Sequence, residues 1–285
     1  MQNDNLGGAS LEWRNYEMSK VIRLLFVLVS THAALCVVSR ADAQDLNVAA
    51  ASDLQAVLPA IAERFQHQTG RIVKLAFGSS GNFYSQIQNG APFDLFFSAD
   101  IEYPNKLEAE GLAEPGTLYP YATGRIVLWV RKDSGIDVGR GLALLGDTRV
   151  RRIAIANPAH APYGRAAVAA LEHDKLYEAV RDKLVMGENV SQAAQFVESG
   201  NADAGILALS LALAPQLKEK GRYYAIPDSY YPPIDQGVVI LRMSQHKEVA
   251  RQFLEFLNRP EIVSLMRDFG FIIPESQSDR RSMER

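Results

Sequence analysis

Two serines that follow strand-like runs are the residues best placed to do chemistry. Leu46 to Ala51 is a short, largely apolar stretch that runs into Ser52 and Asp53, after which Leu54, Val57, Leu58, Ile61, Ala62 and Phe65 recur at three- and four-residue steps. That spacing predicts one buried helix face, with Ser52 as its N-cap. Arg71 to Phe77 repeats the strand pattern, Gly78-Ser79-Ser80-Gly81 is a glycine turn carrying two hydroxyls, and Tyr84 and Ile87 resume helical spacing up to Asn89-Gly90. The first N–H groups of a helix have no intrahelical acceptor, and the helix dipole adds partial positive charge there, so such a corner can hold an anion. One corner alone reads as an ordinary serine cap. Two corners after neighbouring parallel strands face the same crevice at the strands' carboxyl ends, which is where ligands bind in open α/β sheets.

Asp53 admits two readings. It could accept the proton of an oxyanion such as hydrogen phosphate, or it could offset the helix dipole in the first turn, an effect of about 0.3–1 kcal/mol. The dipole reading is preferred here. Other reactive groups form no recognisable machinery. His67, His160, His173 and His246 are scattered without metal-ligand spacing, and there is neither a Gly-x-Ser-x-Gly elbow nor a phosphate loop ending in Gly-Lys-Ser. His160 falls nearest a candidate corner. The one cysteine, Cys36, lies in an N-terminal apolar run, so the mature chain is expected to carry no thiolate and no cysteine-bound zinc. A serine-dependent hydrolase is the enzymatic alternative, and the expectation is that the protein is not an enzyme.

The elements that must position these corners alternate along the chain. Asp94 to Ser98, Gly124 to Val130, Arg152 to Ala156, Lys183 to Met186, Ala204 to Leu209 and Gln236 to Leu241 read as strands. Helical runs open near Tyr163, after Pro162, and after Asn189, whose side chain suits the cap position, with Val190, Ala193, Ala194 and Val197 on one face. Alternation of this kind predicts an α/β protein with mostly parallel sheets flanked by helices. Two lobes with a hinged cleft are expected, one from 45–122 with 236–274 and the other from 123–235.

With 285 residues, 47% of them hydrophobic and 22% charged, the composition is that of a globular protein, and a net charge of −3 gives no footprint for nucleic acid. The N-terminus differs. Lys20 and Arg23 precede an apolar run from Leu24 to Val38, and Ala41-Asp42-Ala43 has the small-x-small form of a cleavage site. Residues 1–43 are therefore expected to be a signal peptide, with translation starting at Met18 and the mature chain at Gln44. A membrane anchor is the alternative, but the run is shorter than the roughly 20 apolar residues a span needs. The tail from 275 to 285 is polar and charged and is expected to be disordered.

Taken together, Ala49-Ala50-Ala51-Ser52, Phe77-Gly78-Ser79-Ser80-Gly81, the run from Gly90 to Asp100, Ala161-Pro162-Tyr163-Gly164 and Gly187-Glu188-Asn189-Val190 resemble the periplasmic molybdate-binding proteins of bacterial ABC importers. The resemblance covers nearly all of Leu46 to Pro274. It implies a two-lobed, type II periplasmic binding protein fold holding a bare tetrahedral oxyanion, molybdate or tungstate, between the lobes. It also implies a monomeric periplasmic protein that delivers this oxyanion to a membrane permease, without cofactor, molybdenum being bound as its oxyanion and not as a coordinated cation. Ser52 and Ser80 match the family's hydroxyl ligands, while Tyr163 and Val190 match positions that donate backbone N–H groups. One position departs from the pattern. Where some members place an anion-binding tyrosine this chain has Ala208, so the fifth contact falls to the backbone N–H of Ser52 or Asp53. Arg165 is the basic residue nearest a matched corner. Sulfate or phosphate are the alternative ligands, and cavity size, which separates sulfate from molybdate, is not written in the sequence.

Overall fold

The computed structural model describes residues 45–274. The expected signal peptide and the expected disordered tail lie outside the described residues. The chain order is β1 (Leu46–Ala51), a 3-10 turn (Ser52–Ala56), α1 (Leu58–Thr69), β2 (Val73–Gly78), α2 (Ser80–Gln88), β3 (Leu95–Ser98), α3 (Glu102–Ala109), β4 (Tyr119–Gly124) and β5 (Ile126–Arg131). It continues with β6 (Ile153–Ala156), α4 (Pro162–His173), β7 (Leu184–Gly187), α5 (Val190–Glu198), β8 (Ala204–Ala208), β9 (Gly221–Ala225), β10 (Ile234–Ile240), α6 (Lys247–Leu257) and α7 (Pro260–Asp268), with shorter helical turns between them.

The strands form two five-stranded sheets, in the orders β2-β1-β3-β10-β4 and β7-β6-β8-β5-β9. Both are mixed. In the first, β1 runs parallel to β2 and β3, whereas β10 is antiparallel to β3 and β4. In the second, β6 runs parallel to β7 and β8, and β5 is antiparallel to β8 and β9. The expectation of mostly parallel sheets is thus replaced by an even mixture. The reason lies in the connections: β4 and β5 are separated by Arg125 alone, and the chain returns from β9 to β10 through a proline-rich segment, so these linking strands enter each sheet from the opposite end. The continuous strand expected from Gly124 to Val130 is in fact this break between two strands in different sheets.

Alternation along the strands decides what packs where, since successive side chains point to opposite faces. Val48 and Ala50 face a layer containing Phe65, Phe253 and Phe256, while Ala49 faces Phe83 and Leu107. Both faces of β1 are covered, which is why its sequence reads as an unbroken apolar run. Phe65 anchors α1, with its ring edge-on to Phe253 at 5.0 Å and to Phe256 at 5.4 Å. Burying such a side chain contributes about 1.5–3 kcal/mol. The second sheet has its own core, in which Trp129 and Leu128 of β5, Ile155 of β6 and Leu207 of β8 are fully buried among Ala167, Leu171 and Val197.

The helix start expected at Ser52 is displaced. Residues Ser52–Ala56 form a 3-10 turn, α1 begins at Leu58, and neither element is capped by a serine side chain. Ser52 is instead the first residue of the turn itself, and its hydroxyl is released from capping.

Candidate functional site

Register brings the two expected corners together. β1 and β2 are parallel with Ala51 opposite Gly78, so Ser52 and the Ser79-Ser80 pair emerge side by side at the same strand ends. The second sheet repeats the arrangement, because β6 and β7 are parallel with Ala156 opposite Gly187. That places the loop leading to Tyr163 next to Asn189 and Val190. All four corners open on one small cavity, lined by residues that include Ser52, Asp53, Ser80, Tyr163 and Val190. The five residues singled out in the sequence are thereby gathered at one place. Ala208 is fully buried at the end of β8, opposite Ile126, and does not line the cavity.

Each lining group has a local reason for its orientation. Ser80 is fully buried, and its Oγ accepts the Ala99 N–H at 2.9 Å, which leaves the hydroxyl proton to be donated elsewhere. The Ser52 Oγ accepts the Ser191 N–H at 3.4 Å and keeps its own proton in the same way. Val190 is the first residue of α5 and Tyr163 the second of α4, so neither amide can reach an intrahelical carbonyl. Asn189 does cap α5, its Oδ1 accepting the Gln192 N–H at 3.0 Å, and Ser79 caps α2, its Oγ accepting the Asn82 N–H at 3.4 Å. Gly164 lets the start of α4 lie against the end of β6, since a Cβ there would sit 2.2 Å from the Ala156 carbonyl oxygen. The cavity is thus bordered by three α-helix N-termini and a 3-10 turn, and among the described residues no Lys, Arg or His lines it. Such a surface presents donors and partial positive charge.

Asp53 departs from its simple reading as dipole compensation. It is fully buried, and its Oδ2 accepts hydrogen bonds from the Tyr163 hydroxyl at 2.9 Å and Gln236 Nε2 at 2.8 Å. Gln236 Oε1 in turn accepts the Tyr121 hydroxyl at 2.6 Å, and the Ser210 hydroxyl donates to the Asp53 carbonyl at 2.7 Å. Burial raises the Asp53 pKa to about 6 against the lowering effect of these donors, and it pushes the Tyr163 and Tyr121 hydroxyls well above their ordinary range. Among the described residues the other carboxylate oxygen, Oδ1, has no hydrogen-bond partner. This network ties β4 and β10 of the first sheet to α4 beside the second. Sequence reading missed Gln236, Tyr121 and Ser210. The available signal was a glutamine at the start of an apolar strand, where a polar group must find a buried partner.

Further contacts bridge the two sheet systems around the cavity. The Gly81 N–H donates to the His160 carbonyl at 2.9 Å, Ser79 Oγ lies 2.9 Å from His160 Nδ1, Asn82 bonds Glu188, Ser191 bonds Gln55, and Arg165 pairs with Asp100. His160 and Arg165 therefore belong to the rim and not to the cavity. A larger open groove runs alongside, but among the described residues its lining sets Asp100, Glu102 and Asp235 against Arg165 alone, a balance that repels anions.

Known proteins resemble this chain over most of its described length. Residues 46–272 match the family model described as bacterial extracellular solute-binding protein. The molybdate-binding protein ModA of Azotobacter vinelandii is 39% identical over 81% of this chain and 91% of its own length. Its counterpart in Rhodobacter capsulatus is 38% identical over 81% and 90%. The solved structure of the Azotobacter vinelandii periplasmic molybdate-binding protein superposes with a TM-score of 0.76 at 37% identity, covering 81% of this chain and all of that one.

Proposed function

Because the chain belongs to the bacterial extracellular solute-binding proteins, we propose that it is the substrate-binding component of an ABC importer and captures molybdate or tungstate between the lobes of its two-lobed, type II binding-protein fold. The observation that supports the proposal is the cavity lined by Ser52, Ser80, Tyr163 and Val190, two serines whose hydroxyl protons remain free to donate and two residues in the first turns of helices, and among the described residues no basic side chain lines it. Hydrogen bonds to a charged partner contribute about 1.5–3 kcal/mol each, so several converging donors can offset the desolvation of a dianion. A site made of donors accepts a fully deprotonated oxyanion and disfavours one whose proton faces another donor. The backbone N–H of Ser52 or of Asp53, both on the 3-10 turn, supplies the fifth contact in place of the tyrosine replaced by Ala208.

In this reading the protein binds and releases without catalysis. The Ser79–His160 pair acts as a contact across the closing cleft, its serine already serving as a helix cap. Export through the N-terminal signal places the protein in the periplasm as a monomer, where a membrane permease receives its ligand. Among the described residues no helix is long and apolar enough to cross a membrane.

Calorimetric titration of the mature protein against molybdate, tungstate, sulfate and phosphate tests the proposal. Molybdate and tungstate should bind tightest, sulfate more weakly and phosphate least. Phosphate binding tighter than molybdate would overturn it. N-terminal sequencing of the exported protein should begin at Gln44, and retention of the apolar run would refute the export reading.

A further inference from the structure

We propose that Asp53 takes up a proton when the oxyanion enters the cavity, so that ligand capture is coupled to protonation of this one buried carboxyl. The inference rests on the oxyanion-binding reading above and deepens it by naming the group that senses pH.

The geometry assigns different tasks to the two carboxylate oxygens. Oδ2 receives two donors, the Tyr163 hydroxyl and Gln236 Nε2, which lock the side chain in place. Oδ1 is buried and has no partner among the described residues, and Asp53 lines the same cavity as Ser52, Ser80, Tyr163 and Val190. A buried carboxylate oxygen without a donor is costly, and the cost rises when an anion arrives beside it. The groups facing Asp53 do nothing to relieve this by charge. They are the neutral hydroxyls of Tyr163 on α4 and Tyr121 on β4, the Gln236 amide on β10 and the backbone N–H groups of Asp53 and Leu54, and among the described residues no cationic side chain lines the cavity.

A single proton resolves the conflict. It is taken from solvent and bonds to Oδ1, the carboxylate becomes a neutral carboxylic acid, and no other bond changes. The new O–H turns the one anionic acceptor of the cavity into a further donor, so the loaded site contains donors throughout. Burial has already moved the group towards this state, since its pKa stands at about 6 before any ligand is considered.

The sign of the coupling follows from linkage. At pH values above the free-state pKa, Asp53 is ionised in the free protein and protonated in the complex, so each anion brings about one proton with it and affinity falls about tenfold per pH unit. Below about pH 5 the group is protonated in both states and the dependence flattens.

The test is calorimetric titration of the whole mature protein with sodium molybdate at pH 5 to 8.5, each pH in two buffers of different ionisation enthalpy. The buffer difference counts protons directly. Uptake approaching one proton per molybdate at pH 7.5 and vanishing near pH 5 is expected. In Asp53→Asn, an isostere of the protonated acid, uptake should disappear and affinity should no longer fall as pH rises. Molybdate binding by the wild-type protein with no proton uptake at pH 7.5 overturns the inference and leaves the binding reading intact. Equal uptake in the Asn variant also overturns it, by placing the proton elsewhere. Absence of binding to every oxyanion tested overturns the binding reading itself. The wild-type proton count stands alone should the variant fail to fold.

Discussion

Replacing Gly81 by Ala should hold the cleft open. Gly81 lies in the first turn of α2, and a Cβ built there would sit 2.7 Å from the His160 carbonyl oxygen and 2.9 Å from both His160 Cβ and the Tyr103 hydroxyl. Ordinary contact begins at 3.4 Å, so the His160 loop must retreat by about 0.7 Å, and the obstacle is backbone, not the end of a flexible side chain. The retreat also stretches the 2.9 Å bond from the Gly81 N–H to the His160 carbonyl and the Ser79–His160 contact. Overpacking of this kind costs about 1–3 kcal/mol. The Tyr103 hydroxyl, the end of a flexible side chain in the same lobe, can turn aside, whereas the His160 clash is felt only when the two sheet systems approach, so the cost falls on the closed, ligand-holding form, and molybdate affinity should drop by about 5- to 150-fold. Each lobe keeps its own core, and alanine is a better helix former than glycine by about 1 kcal/mol, so thermal stability without ligand should be little changed. Calorimetric affinity, the melting temperature and small-angle scattering with ligand distinguish the outcomes. Unchanged affinity would refute the reasoning, as would a loss of stability large enough to account for the weaker binding.

Other expectations follow from the same geometry. Ser52→Ala and Ser80→Ala should each weaken molybdate binding by about ten- to a hundredfold by removing one donor to the anion, whereas Arg165→Ala, on the rim and paired with Asp100, should change it little. A larger loss from Arg165→Ala than from either serine variant would refute the donor-only site. With ligand the wild-type protein should show a smaller radius of gyration, and an unchanged radius with binding confirmed would mean that the cleft does not close. Asp53 has a folded-state pKa of about 6 against an ordinary 3.8, so its folded form holds the extra proton between these values, and stability from this group is present below about pH 4 and lost as pH rises through 6. Asp53→Asn should therefore be more stable than wild type by up to about 3 kcal/mol at pH 7 and lose that advantage by pH 4, measured by urea unfolding across pH. Phe65→Ala, which empties the aromatic cluster with Phe253 and Phe256, should cost about 3–5 kcal/mol in the same assay.

The sequence by itself determined the corners. Strand, serine or glycine turn, and helix are each specified by residues a few positions apart, through side-chain period and capping chemistry, and so Ser80, Tyr163, Val190 and the Asn189 cap could be placed before any coordinates. Even the small misplacement at Ser52 is local in origin, because a 3-10 turn and the first turn of an α-helix share the same apolar spacing over a few residues. What lay beyond reach was everything set by long-range pairing. The direction of β4, β5 and β10 in their sheets depends on where the chain crosses between them and not on the composition of those strands. The chemistry of Asp53 depends on Tyr163, 110 residues away, and on Gln236, 183 residues away, and the obstruction at Gly81 depends on the His160 carbonyl. A local pattern can say that a carboxylate begins a helical turn. Whether that carboxylate is solvated, bonded or left with one bare oxygen is decided by which distant groups the fold packs around it, and it is this desolvation that raises the Asp53 pKa to about 6 beside the cavity.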